Sequence, residues 1–171
     1  MRRTPKGLEI GSYSAILAID PGLDTGVSWT LHRTYLTHTT AELASFAHAF
    51  RVENAHHQCV AVIEVPRVYP ERKDADPNDL ITLAIRVGAY VHALMPMGIV
   101  CLGVEPKKWK GQLPKAAHHA RLTRDHPELA RAVAVNVETE SKRHNAYDAF
   151  GLLMWSHTNR GLLLRDLSKD L

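Results

Sequence analysis

The sequence predicts an α/β domain: a mixed five-stranded sheet, three antiparallel strands followed by parallel ones, with helices on both faces. Three observations carry this. The runs AILAID (15–20) and CVAVIE (59–64) are apolar on both side-chain parities, as strands are in a sheet covered on both sides. Three strand-like segments precede the first helical stretch, which suits two hairpin joints. The later strands are separated by helical periodicity, which suits parallel crossovers.

In chain order, YSAILAID forms the first strand, and Pro21-Gly22 ends it. GVSWTLH resumes extended structure, and a third strand covers 34–39. Thr40 caps a helix whose apolar face holds Ala41, Leu43, Ala44, Ala47 and Phe50. CVAVIEVP is the fourth strand. After the polar loop RVYPERKDADPND, Asn78 or Asp79 caps a long helix through Leu80, Leu83, Ala84, Val87, Val91 and Leu94. The last strand spans 98–104. Beyond it lie a basic loop, helical stretches near 116–124 and 128–137, and a final helix opening near His144.

The 171 residues suit one domain, and a 45% hydrophobic content excludes disorder. Residues 1–13 read as a flexible basic tail and 14–171 as one domain. No uninterrupted apolar run approaches the roughly 20 residues that cross a bilayer, so no membrane partner is expected. The opening MRRTPKGLEIGSY lacks the apolar core of a secretory signal. Cys59 and Cys101, each in a strand-like run, suit buried thiols in a reduced cytoplasm. Net charge is +3 and the pI is about 9.0. The basic excess is local: seven Lys or Arg against three acids lie between Glu105 and Arg131. That permits nucleic-acid binding.

Two of the apolar strands end on a carboxylate, Asp20 and Glu64, and Asp148 opens the last helix. Neighbouring strands would bring the first two together at one sheet edge, where ligand sites gather. Three carboxylates without cationic partners do not share a low-dielectric site cheaply. A hard cation, Mg²⁺ or Mn²⁺, resolves this. Two such ions about 3.5–4 Å apart would clamp the attacking and leaving oxygens of a phosphodiester. Taken singly, each acid also has a plain structural role, as a turn, strand-end or helix-start residue. Asp24 reads as a turn cap.

The stretches IDPGLDTG, IEVPRVYP, VEPKKWKGQLPK and HNAYDAF together resemble the RuvC-type Holliday-junction resolvases, most of all their phage-borne branch. The likeness runs from Ile16 to Trp155. It implies an RNase H-like fold and a homodimer in the host cytoplasm that cuts four-way DNA junctions with Mg²⁺ or Mn²⁺ and no small-molecule cofactor. It implies Asp20, Glu64 and Asp148 as metal ligands, and DNA contacts at Lys107, Lys110, Lys115 and Lys108. The family carries an acid or a histidine one turn before the last aspartate; here Asn145 and His144 stand there. Either one can complete the metal site, and His144 can instead take the proton from the attacking water. Trp109 can stack on a base or anchor the basic loop, and Arg67 and Arg72 can meet phosphates or solvent.

The pairs His56-His57 and His118-His119 lack a Cys or Asp at ligand spacing, which argues against zinc. The helix over 80–94 can form a dimer face or pack in the core. The tail LLLRDLSKDL reads as a short amphipathic helix. Two other readings keep the fold: a nuclease for flaps, forks or RNA–DNA hybrids, and a branched-DNA-binding module without strong catalysis. The long interval from Glu64 to Asp148 favours the resolvase over a minimal RNase H.

Overall fold

The structure is a computed structural model that describes residues 15–30, 32–67, 76–111 and 113–159. The tail at 1–13, the amphipathic tail helix and Arg72 lie outside these residues. Five strands are present: β1 (Ala15–Asp20), β2 (Thr25–Thr30), β3 (Arg33–Thr37), β4 (Cys59–Glu64) and β5 (Val100–Val104). They form one sheet in the order β3-β2-β1-β4-β5. β1 pairs antiparallel with β2, and β2 with β3, while β1, β4 and β5 run parallel. This is the mixed five-stranded sheet, antiparallel strands first and parallel ones after, that the sequence predicts.

Side-chain parity decides what covers each face. Ile16, Ala18, Val60, Val62, Leu102 and Val104 point to one face and join Trp109, Leu122, Leu129, Val133, Phe150 and Leu152. Those partners come from α3 (Pro106–Lys110), α4 (Lys115–Asp125), α5 (Leu129–Asn136) and α6 (Arg143–Thr158). Leu17, Ile19, Val27, Ala61 and Ile63 point the other way. They pack on Leu43, Phe50, Tyr90 and Leu94 of α1 (Thr40–Glu53) and α2 (Pro77–Leu94). Each such Leu, Ile or Phe taken from water contributes about 1.5–3 kcal/mol.

Helix starts differ slightly from expectation. α1 is capped by Thr39, whose Oγ1 accepts from the Glu42 N–H at 3.1 Å while Glu42 accepts from the Thr39 N–H. This reciprocal box outcompetes a start at Thr40 and contributes about 1 kcal/mol. α2 starts at Asp76, whose carboxylate accepts from Asn78 N–H at 2.8 Å, with Pro77 preset in the first turn. Cys59 is buried and Cys101 half-buried, both as free thiols.

α2 departs further from the sequence reading. Of its residues only Tyr90 and Leu94 are buried, while Ile81 and Ile85 are 58% and 69% exposed. With the turn that follows, the stretch Pro77–Met97 has a mean hydropathy of 1.5 and is long and apolar enough to cross a membrane by length and composition. Counting only uninterrupted apolar runs misses it, because Asp79 and Arg86 break the run without breaking the helix.

Candidate active site

Asp20 is the last residue of β1 and Glu64 the last of β4. The parallel register sets Ile19 beside Ile63, so the two carboxylates leave the sheet side by side. Both share the parity of Ile16, Ala18, Val60 and Val62, so they point to the face that α6 covers. α6 lies close because Gly26 of β2 has no side chain. A Cβ there would collide with the Asn145 carbonyl and stand 3.0 Å from the Ala149 Cβ. The docked helix brings in Asp148, which is buried.

The three carboxylates act on one another electrostatically but live in different surroundings. Asp20 is 8% exposed. No described residue donates a hydrogen bond to it, and burial, then the charges of Glu64 and Asp148, push its carboxyl well above the usual range. Glu64 is also raised, chiefly by burial, against an opposing hydrogen bond from Trp109 Nε1 at 2.7 Å. At Asp148 burial works against ionisation, yet the hydrogen bond from His119 and the nearby ammonium groups outweigh it. Its carboxyl is held well below the usual range. Lys110 Nζ lies 2.9 Å and Lys115 Nζ 3.2 Å from Oδ2. His119 Nε2 lies 2.8 Å from Oδ1.

The premise of three carboxylates without cationic partners therefore holds for part of the site only. Lys110 and Lys115 neutralise Asp148 from inside, and Lys110 also lies over the Trp109 ring, 5.0 Å from its centroid. Lys107 and Lys108 are exposed on α3. α3 itself was expected as loop: five residues with three lysines carry no apolar periodicity beyond Trp109, which is buried. Arg67 pairs with Glu105. Asp24 does not act as a turn cap; it receives Lys142 Nζ at 2.8 Å and His38 Nδ1 at 2.9 Å, tying the β1–β2 turn to the chain just before α6.

The other residues of the predicted set stand on the first turn of α6. Asn145 presses its backbone on Gly26. His144 is half-buried, and its Nδ1 donates to the Ser141 carbonyl at 2.7 Å. The residue the sequence passes over is His119. Its partner Asp148 is on another helix, so local ligand spacing carries no trace of it. His118 points elsewhere: it packs edge-on against Trp109, 5.4 Å between centroids, and burial lowers it to about 4.

The turn behind Asp20 is braced from the opposite face. The Thr25 hydroxyl donates to the Gly22 carbonyl at 2.9 Å, so the contact between Thr25 Oγ1 and the Tyr90 hydroxyl, 2.6 Å, has tyrosine as donor. Arg86 donates to the same Gly22 carbonyl. α2 thus fixes the backbone that follows the aspartate.

A hard divalent cation suits one half of this site by its donor chemistry. Asp20 and Glu64 are adjacent, buried or half-buried, and short of positive charge. Three carboxylates face two ammonium groups, and both ammonium groups are paired with Asp148. Among the described residues, no three His, Cys, Asp or Glu side chains close into a ready-made ligand shell.

Fold and site together define a class: an α/β domain with a mixed five-stranded sheet and an acidic cluster at the carboxyl ends of two neighbouring parallel strands, bordered by lysines. No protein-family model matches the chain, and no curated protein does. Among solved structures the chain is similar to Thermus thermophilus RuvC. The copy in complex with a Holliday-junction substrate is 16% identical, with 86% of this chain and 95% of that one covered and a TM-score of 0.39. A second RuvC structure from that organism gives 17%, 85%, 95% and 0.40. The yeast mitochondrial Holliday junction resolvase Ydc2 gives 13%, 93%, 85% and 0.47.

Proposed function

We propose that this chain is a metal-dependent, structure-selective DNA endonuclease that resolves four-way junctions, working as a homodimer of the RuvC type. The observation that carries the reading is the meeting of Asp20, Glu64 and Asp148 at one sheet edge, with both lysines of the site paired to Asp148. Asp20 and Glu64 would hold Mg²⁺ or Mn²⁺, with Asp148 completing the set. Bound there, the metal supplies Lewis acidity at the scissile phosphate and lowers the pKa of an attacking water. The chain's own groups do the rest. The β1 and β4 backbones fix the angle between two carboxylates. Trp109 holds Glu64 in place, and Lys110 and Lys115 line the approach with positive charge for the phosphate. Lys107 and Lys108, exposed on α3, extend that approach along the DNA. The outward apolar residues Ile81 and Ile85 of α2 support pairing of two copies, which would give the two cuts a symmetric junction needs.

The test is cleavage of a labelled four-way junction beside linear duplex, a flap and an RNA–DNA hybrid, with Mg²⁺, Mn²⁺ or EDTA. Paired symmetric nicks in the junction alone, lost in EDTA, are expected. Cutting of the flap or hybrid in place of the junction overturns the substrate and leaves the metal site standing. Cleavage unaffected by EDTA overturns the metal dependence.

A further inference from the structure

We infer that His119, on α4, is a nitrogen donor of the divalent-metal site, filling the role for which the sequence offers Asn145 or His144. The inference rests on the metal-dependent reading above and adds the donor that selects the ion. Asp148 Oδ2 is taken by Lys110 and Lys115, at 2.9 and 3.2 Å. A cation reaching this carboxylate comes in at Oδ1, and there it meets His119 Nε2, 2.8 Å from that oxygen. Two donors sharing the edge of an octahedron with bonds of 2.0–2.1 Å are separated by about 3 Å. The His119–Asp148 pair, 2.8 Å apart, is close to that spacing and would offer an ion one edge of its shell, with Asp20 and Glu64 as the candidates for further oxygens. An ion bound here would replace the hydrogen bond between Nε2 and Oδ1 with a bond to each atom. Nε2 would give up to solvent the proton it donates to Oδ1, and the ring would bind as the tautomer that carries its proton on Nδ1.

Two further features fit this role. His119 sits low in the site, with its side chain 17% exposed. Its ring lies 5.3 Å from the Tyr147 ring and 5.8 Å from that of His118, centroid to centroid, so it is packed on two sides. An imidazole donor also shifts selectivity, because nitrogen favours Mn²⁺ over the harder Mg²⁺.

The test reads the metal directly. Mn²⁺ is titrated into the full-length protein and followed by electron paramagnetic resonance, and the bound ion is examined for ¹⁴N coupling by electron spin echo modulation. Wild type should bind Mn²⁺ with a clear imidazole nitrogen signal. H119Q should lose that signal and about tenfold to a hundredfold in Mn²⁺ affinity, with a smaller loss for Mg²⁺ by calorimetry. H144A and N145A should keep the nitrogen signal. Mn²⁺ bound to wild type without nitrogen coupling overturns the inference and leaves the metal reading intact. So does a signal that persists in H119Q and disappears in H144A. No Mn²⁺ binding to wild type overturns both. Where H119Q folds poorly, H144A decides: a nitrogen signal kept there leaves His119 as its source, and one lost there overturns the inference.

Discussion

The two halves of the acidic site have opposite electrostatics. Asp20 is buried, and among the described residues nothing donates to it or pairs with it, so its charge is costly even with Lys110 and Lys115 acting on it from a distance. Asp148, equally buried, holds two ammonium groups and a histidine, so its charge is stabilised in place. The lesson is that burial alone does not set the fate of a carboxylate; the groups brought to it by other elements do. The Asp20 side is built to receive positive charge, and the Asp148 side already contains it.

The sharpest way to break this comparison is to neutralise each acid. D20N and D148N should both lose at least about a thousandfold in junction cleavage. Their stabilities should move in opposite directions. D20N removes an uncompensated buried charge and should raise the melting temperature without metal. D148N strands Lys110 and Lys115 and should lower it, through a loss of a few kcal/mol in stability. Thermal melts in EDTA read both signs, and equal shifts would refute the contrast.

Next in size is G26A. The added methyl cannot coexist with the Asn145 carbonyl unless α6 leaves the sheet, so a loss of several kcal/mol is expected in urea unfolding. Asp148 would move while Asp20 stays. Cleavage should fall by more than the folded fraction does.

Saturating the site with Mn²⁺ should sharpen the comparison from the other side. At about a hundred times the dissociation constant, metal adds about 2.7 kcal/mol, or roughly 5–10 °C in melting temperature for a chain of this size. EDTA should reverse the shift, and D20N should lack most of it.

The pH dependence follows from the two shifts. Asp20 has a raised carboxyl, so the folded state binds more protons than the unfolded one above about pH 4. Wild-type stability therefore falls as pH rises toward the folded value of Asp20, and D20N should be spared that fall. Asp148 has a depressed carboxyl, so its contribution is present above about pH 4 and lost below it; D148N should lack this acid-side loss. Urea midpoints in EDTA from pH 3 to 8 read both. The smallest effect belongs to Y90F. It removes the donor to Thr25 and should cost about 1 kcal/mol, with a partial loss of cleavage because only the turn behind Asp20 loosens.

Much of this was legible in the sequence, because it depends on local pattern. Apolar residues at both parities identify β1 and β4, and a carboxylate at the end of each strand marks the sheet edge. Parity further puts Asp20 and Glu64 on one face. What was not legible is what helices bring from a distance. Lys110 and Lys115 look like solvated charge until α6 supplies Asp148 beneath them. His119 looks unpartnered until two helices cross. The start of α2 was misplaced because Asp76, Asn78 and Asp79 are all competent caps, and only the Pro77 geometry chooses among them. The exposure of Ile81 and Ile85 could not be read either, because an apolar face looks the same whether or not anything covers it.

α6 has a consequence for how the protein comes into being. It is the last described helix, it buries Ala146, Ala149, Phe150, Leu152 and Leu153, and it carries Asp148. A chain still emerging from the ribosome holds Asp20 and Glu64 on a sheet whose covering layer has not yet been made. Completing the core and arming the site are then the same event, the docking of one helix made after every strand of the sheet. A chain broken before that helix loses the cover of its sheet and the third carboxylate of the site together.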